Sequence, residues 1–165
     1  VLQESNLLTK ILLPQTVAVI GKGAFANCKW LEIVKQKQPS SENSTNSLGG
    51  IREIEDMAFS NCGTLRYIEL SDSFQKLGKR AFEHCVQLEE ILLPEGIEEI
   101  PDRAFFRCRH LKNVKFPSTL KRIGKEAFAF CEYLKLPELP EGVQVEERAF
   151  VKSKDYKVKR PKITE

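Results

Sequence analysis

Apolar side chains fall along this chain in a figure that returns: Ala-Phe, a small residue three positions on, Leu three further, then Ile, Leu-Pro, Ile and Ile. One copy runs Ala81, Phe82, Cys85, Leu88, Ile91, Leu93, Pro94, Ile97, Ile100, and the next runs Ala104, Phe105, Cys108, Leu111, Val114, Phe116, Pro117, Leu120, Ile123. Ala-Phe pairs begin at positions 24, 58, 81, 104, 127 and 149, so the steps are 34, 23, 23, 23 and 22. Leu2, Ser5, Leu8, Ile11, Leu13, Pro14, Val17 and Ile20 fit the same frame, which predicts a chain that opens inside a coil and is a part of a longer protein. Phe150, Ser153 and Tyr156 start one more coil before the pattern is lost.

A fixed period of this length predicts stacked coils. About seven apolar side chains per coil cannot be buried by one coil, whereas a neighbour above and below buries each large one at about 1.5–3 kcal/mol. Leu88, Ile91 and Leu93 move onto period two, which predicts a short strand. Phe82 and Cys85 lie one helical turn apart, which predicts a helical or 3₁₀ turn facing inward. Strands of successive coils then pair in register about 4.8 Å apart, as one parallel sheet. The step of 34 exceeds 23 by eleven, and the surplus, about Gln36 to Asn46, is polar and aperiodic, as in an extruded surface loop. Gly21, Gly78 and Gly124 follow the last Ile of a coil where Glu55 and Pro101 stand in others. Proline excludes a positive φ there, so close approach is the expected reason for glycine. Pro137, in place of a strand Ile, is expected to weaken pairing.

The five AFxxCxxL copies, with Leu-Pro or Phe-Pro after the strand at 13–14, 93–94, 116–117 and 139–140, resemble the BspA-like leucine-rich repeats. The second copy departs, with Leu70-Ser71. The resemblance implies an α/β solenoid: a right-handed superhelix with a concave parallel β-sheet and short strand, 3₁₀ or helical turns on the other side. It implies residues 1–156 as the solenoid, 157–165 as a basic tail, and a structure built for binding rather than chemistry.

The cysteines test that frame. Cys28, Cys62, Cys85, Cys108 and Cys131 occupy one repeat position, which makes a straight column; tetrahedral zinc needs ligands wrapped round a point, and parallel side chains supply disulfide torsions poorly. Packing is the expectation, with each thiol able to bond a nearby carbonyl, and Ser5 and Ser153 standing where the stack ends. His84 and His110 sit at different repeat positions and add no ligand pattern. No metal, no cofactor and no catalytic constellation is expected; Glu89, Glu90, Glu98 and Glu99 read as a solvated face.

Charge is +3 overall, with +4 of it between Val151 and Glu165 and −1 in the rest, not the footprint of a nucleic-acid-binding fold. No run reaches the ~20 apolar residues of a membrane helix. The basic tail reads as a linker. Asn43-Ser44-Thr45 is a possible N-glycosylation site if the protein is secreted. Strand positions beside the buried Ile give two outward columns, Lys10, Ile33, Tyr67, Glu90, Asn113, Leu136 and Leu12, Lys35, Glu69, Leu92, Lys115, Glu138. Ion pairs Lys35–Glu69 and Lys115–Glu138 are expected across strands, while the apolar members suggest a protein-binding face. Trp30 and Tyr133, each before the repeat Leu, either pack under loops or anchor an interface. The expected function is a protein-binding module of a surface or secreted protein engaging host or matrix protein; the alternative is an intracellular scaffold or regulatory repeat.

Overall fold

The computed structural model describes residues 8–37, 49–135 and 138–153. Five successive coils contribute a strand at the IxL segment: β1 (Lys10–Leu13), β3 (Ile33–Gln36), β5 (Tyr67–Ile68), β7 (Glu90–Leu92) and β9 (Asn113–Lys115). These pair in parallel, Lys10 opposite Ile33, Ile33 opposite Tyr67 and Glu90 opposite Asn113. The expected register is therefore present. A single step, β5 to β7, drops out of strand pairing and keeps one long contact, the Glu89 amide to the Arg66 carbonyl at 3.4 Å.

A second parallel ladder, not anticipated, runs through the paired residues that close each coil: β2 (Val19–Ile20), β4 (Glu53–Ile54), β6 (Lys76–Leu77), β8 (Glu99–Ile100), β10 (Arg122–Ile123) and β11 (Gln144–Val145). Its amides just past the Ile donate to the preceding coil: Glu55 to Ile20, Gly78 to Ile54, Gly124 to Ile100 and Glu146 to Ile123, at 2.7–2.9 Å. Pro101 occupies that position in the remaining coil. It has no N–H to offer Leu77, and the ladder breaks between β6 and β8.

The Ala-Phe segments are turns, with no helix among the described residues. This corrects the expected helical or 3₁₀ turn, and the backbone shows why. The residue before Ala (Gly23, Met57, Arg80, Arg103, Glu126, Arg148) and the second after Phe (Asn27, Asn61, His84, Arg107, Phe130, Lys152) are left-handed, with φ of 55–63°. A left-handed residue every fourth position forbids a continuous right-handed run. It also turns alternate amides outward: the Phe25 amide donates to Ala58 of the next coil (2.8 Å), while the Cys28 amide closes a turn on Phe25 (3.1 Å). The turns thus make a third inter-coil ladder in place of a helix.

Inside, Phe25, Phe59, Phe82, Phe105, Phe128 and Phe150 stack face to face, with ring centroids 5.1–5.4 Å apart. All but Phe25 and Phe150 are fully buried, and Leu31, Leu65, Leu88, Leu111 and Leu134 form a second buried column. Glycine's role is close approach. A Cβ on Gly78 would lie 2.3 Å from the Glu55 carbonyl carbon and the Asp56 nitrogen, and one on Gly124 would lie 2.7 Å from the Asp102 nitrogen. At Gly21 nothing comes nearer than 3.8 Å. The polar insertion begins later than expected, because Gln36 is a buried member of β3 opposite Leu13. Asn43, Leu136, Pro137 and the tail lie outside the described residues.

Candidate binding face and the family it belongs to

The cysteine column is core. Cys62, Cys85, Cys108 and Cys131 donate their thiols to Phe25, Phe59, Phe82 and Phe105 carbonyls of the preceding coil at 3.0–3.2 Å. Each such carbonyl also accepts the amide three residues on, for example Cys85 to Phe82 at 3.1 Å. A buried carbonyl has two lone pairs, and the thiol satisfies the second. Burial pushes the Cys62 thiol up to about 12 and the Cys85, Cys108 and Cys131 thiols well above their ordinary range. Ser153 does not mark a frayed end: it is buried, and its hydroxyl donates to the Phe128 carbonyl at 3.2 Å. Hydrogen-bond donation, more than sulfur, is what the position selects. Among the described residues no three His, Cys, Asp or Glu side chains group as metal ligands.

On the outer face of the first ladder the two predicted columns stand side by side. Strand pairing sets Leu12 beside Lys35 and Leu92 beside Lys115. Leu12 is 62% exposed and Leu92 65%, with Ile33 and Tyr67 half-buried. These four make an arc across successive strands, not a solid patch, because Lys35 and Glu69 separate Leu12 from Leu92 within their column. The expected ion pairs do not form. The Lys35 ammonium lies over the Tyr67 ring, 5.7 Å from its centroid, and Glu69 instead accepts the Gln36 amide at 3.3 Å. Lys115 and Glu138 are likewise unpaired with each other; the ion pairs of this side join Glu89 to Arg66 (3.4 Å) and Lys112 (3.5 Å). Glu69 and Glu90 thus flank Tyr67 without a counter-ion among the described residues. Burial first, then their charges, raise the Tyr67 phenol above its ordinary value.

The second ladder's outer face differs in kind. Lys76 bonds Glu53, Lys121 bonds Glu98 at 2.8 Å, and Arg122 bonds both Glu99 and Glu146. The charges of that sheet are matched strand to strand, so Glu98 and Glu99 are paired surface groups, as Glu89 is on the first-ladder side. Trp30 and Tyr133 are more than half exposed, at 57% and 51%; Tyr133 stacks on His110 with centroids 5.5 Å apart.

A phenylalanine ladder, a donor column and a parallel strand in every coil are the structural form of the repeated sequence, and that sequence matches the BspA type leucine rich repeat region, in six copies, over residues 2–49 and 37–157. The chain belongs to the BspA-type leucine-rich repeat family. Solved structures agree. A leucine-rich cell surface protein from Faecalibacterium prausnitzii A2-165 superposes with a TM-score of 0.74 at 30% identity, over 88% of this chain and 36% of that one. A leucine-rich repeat protein from Bacteroides ovatus gives 0.56 at 26%, over 84% and 42%. The T. pallidum leucine-rich repeat protein gives 0.53 at 26%, over 78% and 65%. This chain therefore spans between about a third and two thirds of these relatives. A comparison with curated proteins finds no match. The family is a protein-interaction repeat fold.

Proposed function

We propose that this repeat segment is a non-catalytic binding module of a surface or secreted protein, and that it takes a protein partner on the outer face of the first ladder, around Tyr67 and Leu92. The observation that carries the reading is Leu92, 65% exposed although it closes a paired parallel strand. Burying Leu12, Ile33, Tyr67 and Leu92 against a partner would desolvate an apolar arc whose rim carries Lys10, Lys35, Glu69, Glu90, Asn113, Lys115 and Glu138. An apolar centre with a polar rim is how protein interfaces are organised. The half-buried Tyr67 suits an anchor, since aromatic side chains dominate binding energy. Surface display is supported by the cell surface description of the Faecalibacterium relative. Thiols sealed in a core, with their pKa values raised, are compatible with either an oxidising or a reducing compartment.

The test is capture of partners from host-cell and matrix protein extracts by the full chain and by a Tyr67→Glu, Leu92→Lys double variant. Both substitutions are on a solvated face, so circular dichroism and melting temperature should be nearly unchanged while capture is lost. Undiminished capture by the folded double variant would remove the first-ladder face as the site.

A further inference from the structure

One step of the stack is joined differently from the rest. Between the coil of Tyr67 and Leu77 and the coil of Glu90 and Ile100, both strand ladders stop: the first divides into β1-β3-β5 and β7-β9, the second into β2-β4-β6 and β8-β10-β11. Amides at one repeat position show the gap. Arg52, Gln75, Lys121 and Gln144 donate to Ala18, Arg52, Glu98 and Lys121 of the preceding coil at 2.7–2.9 Å, whereas Glu98, their equivalent, makes no such bond. Side chains repeat the omission. Glu53 pairs with Lys76 and Glu99 with Arg122, while Lys76 and Glu99, opposite in charge and one step apart, do not pair. Among the described residues, no hydrogen bond or ion pair crosses from residues 67–77 to residues 90–101.

Along the turn edge the same two coils are firmly joined. The Met57, Phe59 and Asn61 amides donate to Lys79, Ala81 and Glu83 at 2.8–2.9 Å. The Cys85 thiol reaches the Phe59 carbonyl at 3.1 Å, and the rings of Phe59 and Phe82 stack 5.3 Å apart. Just past the gap, the Arg80 amide donates to Asp102 at 3.1 Å. The seam is therefore fixed on one side of the solenoid and unlinked on the other. On the unlinked side lies a cleft of about 600 Å³, lined from both coils by Gln75, Lys76, Leu77, Glu98, Glu99 and Pro101 among others.

Pro101 keeps the second ladder open. Its counterparts Gly78 and Gly124 donate to Ile54 and Ile100 at 2.7 Å, and proline has no N–H to give Leu77. What holds the seam from within is apolar, since Phe74, Leu77, Ile97 and Ile100 remain buried on its two sides. Apolar burial has no directional bond, so it opposes separation of the coils but not a small rotation. We propose that this seam is a hinge: the coils before it and the coils after it move as two rigid stacks about the turn edge, and Pro101 keeps the hinge free. Tyr67 and Leu92 stand on opposite sides of the seam, so rotation changes their spacing on the first-ladder face. The hinge itself does not rest on that face being a binding site.

Spin labels on the full chain read the motion by pulsed electron paramagnetic resonance, the five native cysteines being buried and shielded from the label. One pair, Leu12→Cys with Lys115→Cys, spans four coil-to-coil steps of the first ladder across the seam. The other, Lys29→Cys with Glu132→Cys, spans four steps along the turn edge, and all four positions are exposed. The ladder pair should give a distance distribution at least about twice as wide as the turn-edge pair, as hinge rotation requires. Pro101→Gly offers Leu77 a donor and should narrow the ladder distribution by about half, although exchanging proline for glycine loosens a chain on general grounds. By nuclear magnetic resonance the Glu98 amide should exchange at least about tenfold faster than those of Gln75 and Lys121, and should approach them in Pro101→Gly. Equal widths for the two pairs, exchange of Glu98 as slow as that of Gln75, or an unchanged ladder distribution in folded Pro101→Gly would each overturn the proposal. If Pro101→Gly fails to fold, the two label pairs in the otherwise native chain still decide it.

Discussion

Alkaline pH should unfold this protein through its cysteine column. Cys62, Cys85, Cys108 and Cys131 each give the thiol proton to a phenylalanine carbonyl in a dry core. In the unfolded chain the same groups ionise near pH 8.5; in the folded one Cys62 is held at about 12 and the others well above the ordinary value. A folded-state pKa raised in this way contributes stability that is whole below pH ~8.5 and is lost as pH climbs towards the folded value. Each thiol costs about 1.4 kcal/mol per pH unit in that window, so four cost about 5 kcal/mol per unit once fully engaged. Domains of this kind hold about 5–15 kcal/mol in all. Unfolding is therefore expected within about one to three units above pH 8.5. Urea titrations at half-unit intervals from pH 8 measure the slope, and thiolate ultraviolet absorbance reports when sulfur ionises. Cys108→Ser keeps a donor, as Ser153 does, and should reduce the slope by about a quarter. A flat stability between pH 8.5 and 10, or thiolate absorbance in the native protein near pH 9.5, would refute a buried, donating column.

Phe105→Ala removes one ring from the middle of the aromatic stack and should cost about 3–5 kcal/mol in urea unfolding, because the backbone ladders on three sides prevent collapse of the cavity. A loss below about 1 kcal/mol would place the ring outside the core. Gly78→Ala sets a methyl 2.3 Å from the Glu55 backbone, which cannot move without breaking the second ladder; a loss of at least about 2 kcal/mol is expected by thermal melts. Gly21→Ala, with its nearest contact at 3.8 Å, should cost well under half of that, and equal losses at both positions would contradict the close-approach explanation.

The order of coils, their register and the interior were legible from spacing. A 23-residue return of Phe, Cys, Leu and Ile leaves one way to bury all four, which is to stack like on like, and the stacked rings of Phe82 and Phe105 follow directly. The outward columns were legible for the same reason, since period two sends Tyr67 and Leu92 away from a buried Ile. What those columns do was not, because a long side chain chooses among neighbours at similar distance: Lys35 settled over Tyr67, not beside Glu69. The second ladder was hidden by its brevity, as two residues are too few to display an alternation.

Sequence alone decided which atoms are inside, because hydrophobic burial depends on residue type and period. Tertiary structure decided the backbone path of the turns. Arg80, Glu126 and Phe130 have no local reason to be left-handed. They adopt φ near 60° because that path aims alternate amides at the carbonyls of the next coil, a gain that exists only once another coil is in place. The same holds for the cleft along the seam: its members come from coils more than twenty residues apart, and only stacking brings them together.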